Sequence, residues 1–172
     1  IKLAPDFFGA RIDLARALLE KDELSEAHDV LQEAIRLEPR LPYLRMLLGN
    51  MLSKAGKYEE AVQAFEEALK LDPNNWGSLT GLGHALKTIG RQDDAIVAYR
   101  DCVRLEPAIG EAYWSLANLK TFRFNDDEIA NMEMFVDDTK LPEETRVNFN
   151  FALGKSCEDR GDYERAFQFY EN

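Results

Sequence analysis

Few residues of this 172-residue chain have the type and spacing that catalysis or metal binding requires. The two histidines, His28 and His84, lie far apart, and neither stands in a local Ser/His/Asp or Cys/His arrangement that would activate a nucleophile. Cys102 and Cys157 lack the spacing of zinc ligands or of a disulfide scaffold, and each falls at a helix position that favours a small or apolar residue. We therefore predict two buried thiols, a solvent-facing His28, and no metal or other cofactor.

Two further motifs look like ligand-binding loops but have simpler structural explanations. Gly81-Leu82-Gly83 lies inside a predicted helix and lacks the following Gly-Lys-Ser/Thr that cradles a phosphate, so it indicates close helix packing. Asp126-Asp127-Glu128 suits a helix N-terminus, where negative charge is stabilising, and lacks the alternating spacing of a calcium loop. We predict that the chain is not an enzyme, although a triad assembled from distant positions would leave no local signature.

The charge of the chain argues against polyanionic partners. Its formal net charge is −11, and residues 106–172 hold 15 acidic and 7 basic side chains, against 17 and 14 in residues 1–105. Nucleic acids and anionic membrane surfaces require clustered Lys and Arg, which the sequence lacks. No apolar run approaches the roughly 18 residues of a membrane span, and no signal peptide is present. We predict a cytoplasmic protein, and the opening Ile1 indicates a piece of a longer chain.

The elements that must position these side chains are set by an internal repeat. Pro5, Pro39, Pro73 and Pro107 are each 34 residues from the next. Matching apolar residues precede the last three prolines: Ala27, Leu31 and Ala34; Ala61, Phe65 and Ala68; Ala95, Tyr99 and Cys102. Small residues recur further upstream, in Leu14-Ala15, Leu48-Gly49 and Leu82-Gly83. This pattern predicts an all-α chain of repeated helix–turn–helix units, because each half carries apolar residues at helical spacing and proline ends each unit.

The same pattern predicts how the helices turn and pack. Gly56 and Gly90 fall where the first helix of a unit must end in a left-handed residue. Gly49 and Gly83 are small enough for the second helix to approach closely. One hairpin cannot bury its own apolar face, so neighbouring units must stack into a continuous core. The frames begin at Phe8, Pro42, Trp76 and Gly110, and a fifth begins near Val147.

The period, the Leu-Gly pairs, the Ala/Phe/Ala set and the closing proline resemble the tetratricopeptide repeat, whose period and pattern are well defined. The resemblance covers nearly the whole chain and implies a right-handed superhelix of antiparallel helix hairpins. We expect one solenoid domain, in which residues 1–7 are the remnant of a preceding repeat. The predicted repeats are 8–41, 42–75, 76–109, a divergent fourth over 110–146 and a truncated fifth over 147–172.

The fourth repeat departs from the pattern. Its first helix is expected near 110–121, and Ile129, Glu133 and Val136 stand where Ala, an aromatic residue and Ala would be usual. Asn125 and Glu128 form a predicted capping box that starts the second helix. A long helix is then expected from Leu141-Pro142 to about residue 160, followed by a stop at 161 and a last helix over 162–170. Residues 108–172 also resemble the repeat region of bacterial fusions in which such repeats precede a sulfotransferase domain.

The family resemblance implies a concave groove lined by the first helices, with the ninth residue of each unit facing it. These residues are Arg16, Asn50, His84, Asn118 and Lys155, and all five side chains can form hydrogen bonds. Apolar contacts are expected from Tyr43, Met46, Leu47 and Trp114, with Phe151 near the last. The row could hold the backbone of an extended peptide, or it could be a solvated polar face, and the apolar residues could equally be hairpin packing.

The best-known ligand of this family, the C-terminal carboxylate of chaperones, is not expected here. Its clamp needs Lys and Asn in one repeat, Asn in the next, and Lys and Arg in the third. The corresponding positions hold Ile12, Arg16, Leu47, Gly77 and Gly81 in one frame, and Met46, Asn50, Gly81, Glu111 and Ser115 in the next. Neither frame supplies the cationic pair.

Two functions are therefore kept. The first is a module that binds a peptide or partner domain in the groove. The second is an assembly region, which packs against an attached C-terminal sulfotransferase domain of a bacterial parent protein or forms a homodimer through exposed repeat ends. An exposed apolar patch of Phe122, Phe124, Phe149 and Phe151 would favour the docking role.

Overall fold

The computed structural model describes residues 8–171, which form ten α-helices and no strand. The contacts divide the chain into two compact units after Arg91. The first unit contains α1 (Phe8–Glu20), α2 (Leu24–Leu37), α3 (Pro42–Lys54), α4 (Tyr58–Leu71) and α5 (Trp76–Thr88). The second contains α6 (Gln92–Leu105), α7 (Gly110–Ala117), α8 (Asp126–Phe135), α9 (Glu143–Asp159) and α10 (Tyr163–Glu171). The all-α fold class is confirmed, while the repeat boundaries stay a prediction, and the expected remnant over 1–7 lies outside the described residues.

In the first unit, antiparallel neighbours bury the apolar stripe that the repeat predicts. Ala27, Leu31 and Ala34 of α2 are fully buried, as are Ala61 and Ala68 of α4. Helix α1 packs on α2, α3 packs on α4, and α4 packs on α5. Burial of these side chains removes apolar surface from water and is the main force that holds the hairpins together.

The turns between paired helices use the left-handed backbone region, as predicted. Gly56 has φ of +74° and Gly90 has φ of +82°. The equivalent position of the first hairpin is Asp22, whose φ of +62° is unusual for a residue with a Cβ atom. Hydrogen bonds from Asp22 N to Leu19 O (3.3 Å) and from Glu23 N to Leu18 O (2.9 Å) close that turn.

Phe65 explains why two first helices carry glycine at their close approach. A Cβ atom on Gly49 would lie 2.7 Å from Cε1 of the Phe65 ring, and one on Gly81 would lie 2.4 Å from its Cζ. Phe65 is 1% exposed. The ring therefore fits only because both glycines lack side chains, which confirms the predicted role of Gly49 and gives Gly81 a packing role.

The second unit confirms the expected elements of the divergent region and corrects one. Asn125 accepts a hydrogen bond from Glu128 N, and the Glu128 carboxylate accepts one from Asn125 N, so the capping box is present. Gly161, with φ of +78°, follows the end of α9. Helix α7 ends at Ala117, four residues earlier than expected, because the chain turns there to bury Leu119.

The aromatic residues of this region form a core and not a surface. Phe122, Phe124 and Phe149 are buried, and only Phe151 among the four predicted patch residues is partly exposed. Tyr113 and Phe149 have ring centroids 5.5 Å apart, and the rings of Phe122 and Phe124 meet edge to face at 4.9 Å. The exposed patch that would have favoured a docking role is thus absent from the described part of the chain, because these rings replace the small residues of a regular repeat.

Candidate functional site

The first helices of the N-terminal unit line a shared cavity. Helix α3 contacts both α1 and α5, so the three first helices lie side by side. Between them is a cavity of about 410 Å³, and Arg16, Asn50 and His84 are among its lining residues. These three are the predicted groove-facing residues of successive repeats, one from each helix. The structure therefore brings together three of the five predicted row residues.

The wall of this cavity combines an apolar floor with charged edges. Leu47 is 5% exposed and also belongs to the hydrophobic core, so packing accounts for most of its surface. Glu20 and Lys54 complete the charged lining together with Arg16. The Lys54 ammonium donates a hydrogen bond to Leu19 O at 2.9 Å, which anchors one cation at the wall.

A second cavity of about 550 Å³ adjoins the first and shares Asn50 with it. Tyr43 and Met46, both predicted as apolar contacts, line it together with Asp72 and Trp76. We call the two cavities, joined at Asn50, the N-terminal groove. Trp76 was not predicted as a site residue, although its side chain is 50% exposed. The available signal was its type, since a large aromatic ring at the first position of a helix has little to pack against.

The other predicted site residues belong to the second unit, and two of them have polar groups engaged within it. The Asn118 amide donates to Trp114 O at 2.8 Å, which caps the end of α7. The Lys155 ammonium donates to the Asp159 carboxylate, which also lies 3.4 Å from Arg123. Trp114 is 38% exposed, and its ring centroid is 6.3 Å from that of Phe151. Peptide binding by Asn118, Lys155 and Trp114 stays a prediction.

The remaining reactive residues lie where the sequence predicts. Cys102 and Cys157 are buried free cysteines, and burial raises the pKa of the Cys157 thiol. The His28 side chain is 46% exposed. Between residues 8 and 171, His, Cys, Asp and Glu side chains form no group of three that could hold a metal ion. Within the same range, each helix is too short or too polar to cross a membrane.

Comparison with known sequences identifies the repeat. A family model described as the tetratricopeptide repeat matches residues 42–75, and a second model with the same description matches residues 64–97. The first match coincides with the predicted second repeat. No curated protein matches the chain.

Solved structures with the same fold cover most of the chain. A fragment of MamA from Desulfovibrio magneticus RS-1, from residue 41 to its end, is 23% identical, with a TM-score of 0.68 over 96% of this chain and 92% of that chain. YrrB, described as a TPR protein with an unusual peptide-binding site, is 19% identical, with a TM-score of 0.66 over 96% and 90% of the two chains.

A third structure is the first TPR of Spaghetti (RPAP3), bound to the HSP90 peptide SRMEEVD. It is 18% identical, with a TM-score of 0.60 over 65% of this chain and 89% of that chain. At these identities the likeness concerns the fold. Together with the family matches over residues 42–97 and the helix hairpins, it leads to one conclusion: the chain carries tetratricopeptide repeats.

Proposed function

We propose that the chain is a protein-interaction module that binds an extended polypeptide in the N-terminal groove. The observation that supports this most directly is that Arg16, Asn50 and His84, one from each first helix, line a single cavity. Side chains fixed on packed helices lose little freedom on binding, so they can hold backbone amides of a peptide at a low entropic cost. The adjoining cavity extends the same surface past Asn50.

Two proteins of the same fold support this interpretation. YrrB is described as having a peptide-binding site, and the Spaghetti repeat is bound to a peptide. Because both are under 20% identical to this chain, they support binding of polypeptide in general and leave the sequence of the ligand open.

A selection experiment tests the proposal. Peptides of about twelve residues, long enough to span several first helices, are selected from a random display library against the whole chain, and their dissociation constants are measured by fluorescence anisotropy. We expect an Arg16→Ala/Asn50→Ala variant to bind selected peptides about tenfold more weakly, because each residue supplies hydrogen bonds worth about 1 kcal/mol.

The matched control is Gln63→Ala/Glu66→Ala, which changes two exposed residues of α4 that line neither cavity. This variant should bind like the unchanged chain. Selected peptides that bind all three proteins equally well would refute the groove as the binding site, and so would a library that yields no binding peptide.

The chaperone-type ligand provides a separate prediction. We expect the SRMEEVD peptide to show no measurable affinity in calorimetry, because Gly77 and Gly81 stand where the clamp requires Lys and Arg. Without that pair, the desolvation of several carboxylates is uncompensated. The same peptide with an amidated C-terminus is the control. A micromolar dissociation constant that is lost on amidation would contradict the prediction.

A second candidate function is assembly through the last helix. Tyr163 and Phe167 of α10 are 72% and 62% exposed and share one face with Tyr170. We propose that this face forms a homodimer contact. Sedimentation at increasing concentration should show a dimer for the unchanged chain and for Gln168→Ser, and a monomer for Tyr163→Ser/Phe167→Ser. A monomer at all concentrations would refute it.

The alternative of docking onto an attached sulfotransferase domain has less support. It was expected to use an aromatic surface around Phe122, Phe124 and Phe149, and these residues are buried. No observation on the described residues favours that role over peptide binding.

A further inference from the structure

We propose that the cavity beside Trp76 is a subsite for a basic side chain, Lys or Arg, of the bound polypeptide. This inference rests on the proposed function and names the chemistry that one end of the N-terminal groove selects. Three observations support it: the aromatic residues at the subsite, the charge of its lining, and the contrast with the neighbouring cavity.

The aromatic residues are peculiar to this point of the repeat. Tyr43 and Trp76 both line the cavity. The equivalent pair one 34-residue step earlier in the sequence is Gly9 and Pro42, and one step later it is Gly77 with a further glycine. The scaffold of the repeat therefore does not require aromatic residues at these positions. A half-exposed indole presents a π-face, which attracts a cation more strongly than any other side chain does.

The charge of the lining has the matching sign. Among the described residues that line this cavity, Asp72 is the one that carries a charge, and the others are aromatic, amide, thioether or glycine. Its Oδ1 accepts a hydrogen bond from Asn74 N at 3.1 Å, which fixes the carboxylate at the cavity wall. A cation held between an aromatic face and a carboxylate gains from both, whereas an acidic side chain would be repelled.

The thioether of Met46 adds a polarizable wall for the aliphatic stem of such a side chain. A Cβ atom on Gly77 would lie 2.9 Å from Met46 Sδ, so the absence of a side chain at residue 77 leaves Met46 in place. Lys and Arg carry long methylene stems that pack on apolar surface while the charged head reaches a polar partner.

The adjoining cavity has the opposite character, which orients the ligand. Arg16 and Lys54 line it with one acidic residue, Glu20, and would repel a basic side chain. The two cavities therefore differ in the sign of charge that they accept, and a basic residue of the peptide is directed to the Trp76 end of the groove.

Blocked tripeptides of alanine–X–alanine are suitable probes, with lysine, arginine, norleucine or glutamate as X. The readout is the indole N–H signal of Trp76 in a nitrogen–proton correlation spectrum, assigned with Trp76→Phe, while the Trp114 signal serves as an internal reference. We expect the lysine and arginine probes to shift the Trp76 signal in a saturable way, and norleucine and glutamate to shift it little.

Asp72→Asn should weaken the lysine probe by about threefold or more, because it removes the charge while the amide oxygen still accepts the bond from Asn74 N. Glu38→Gln, at the equivalent position one repeat earlier, is the matched control and should leave binding unchanged. Equal shifts by norleucine and lysine, or equal binding to Asp72→Asn and the unchanged chain, would overturn the proposal.

The library selection separates this inference from the proposed function. Selected peptides that need Arg16 and Asn50 but show no enrichment of Lys or Arg would overturn the subsite and leave groove binding intact. Enrichment of Lys or Arg that disappears against Asp72→Asn would support both. If no selected peptide binds the groove, the proposed function fails first.

Discussion

At the scale of single residues, Asp22 is the clearest departure from what its position requires. It adopts φ of +62°, where the other described hairpin turns of this kind use glycine. We expect Asp22→Gly to raise the free energy of unfolding by about 0.5–1 kcal/mol, because relief of left-handed strain exceeds the entropy that glycine loses on folding. Urea unfolding followed by circular dichroism measures the change.

The control for this change is Ala55→Gly, one residue before the corresponding glycine of the next hairpin. Ala55 has φ of −74°, where a Cβ atom causes no strain, so glycine there should destabilise the chain. If Asp22→Gly were as destabilising as Ala55→Gly, the strain argument would be wrong.

Tyr113 gives a second residue-scale prediction, on alkaline stability. It is fully buried, and burial followed by the nearby Glu128 carboxylate raises the pKa of its phenol to about 12. Because the folded pKa lies above the unfolded value of about 10, the neutral phenol contributes stability below pH 10 that is lost as pH rises toward 12. We expect Tyr113→Phe to lessen the loss of stability over that range by about 2 kcal/mol.

The measurement is denaturant unfolding at a series of pH values from 8 to about 12, where buried phenols ionise. Tyr43→Phe is the matched control, since Tyr43 is only partly buried in the N-terminal groove. An unchanged slope of stability with pH for Tyr113→Phe would show that this phenol does not govern the alkaline transition.

At the scale of elements, the contact of Phe65 with α3 and α5 decides how closely the hairpins pack. Gly81→Ala would place a Cβ atom 2.4 Å from the Phe65 ring. We expect a loss of about 1–2 kcal/mol, because the cost of overpacking exceeds the gain in helix propensity. Thermal and urea unfolding measure this loss.

Two variants make that result specific. Gly9→Ala in α1 has open space around its new Cβ atom and should not destabilise the chain. Adding Phe65→Leu to Gly81→Ala should cost less than the sum of the single changes, because the smaller side chain makes room for the new methyl group. Simple additivity of the two changes would count against the proposed contact.

The elements themselves followed from the sequence because period and composition agree at each position. Helices α3, α5 and α7 begin at Pro42, Trp76 and Gly110, the predicted frames. The early end of α7 escaped prediction because it depends on burial of Leu119 and on aromatic rings from distant parts of the chain. A repeat pattern describes what neighbouring repeats share, so it cannot anticipate a core built from residues that only one repeat carries.

The site was predictable to the same extent. The repeat register located Arg16, Asn50 and His84 on one wall, because equivalent residues of stacked hairpins must align. It could not show that the Asn118 amide caps its own helix, since that depends on where α7 ends. Nor did it identify Trp76, whose exposure depends on the glycine and methionine that surround it.

At the scale of the whole molecule, the net charge of −11 makes stability depend on salt. Self-repulsion of the excess carboxylates is screened by ions, whereas exposed ion pairs contribute little and lose little. We expect the thermal midpoint to rise by a few degrees between about 20 mM and about 200 mM NaCl.

Two single substitutions separate general repulsion from local effects. Asp137→Asn and Glu143→Gln each remove one negative charge, but Asp137 follows the C-terminal end of α8 and Glu143 begins α9. Negative charge is unfavourable at the first position and favourable at the second, because of the helix dipole. Asp137→Asn should therefore raise the midpoint at low salt, while Glu143→Gln should leave it unchanged or lower it. Equal increases for both would mean that net charge alone governs the stability of this chain.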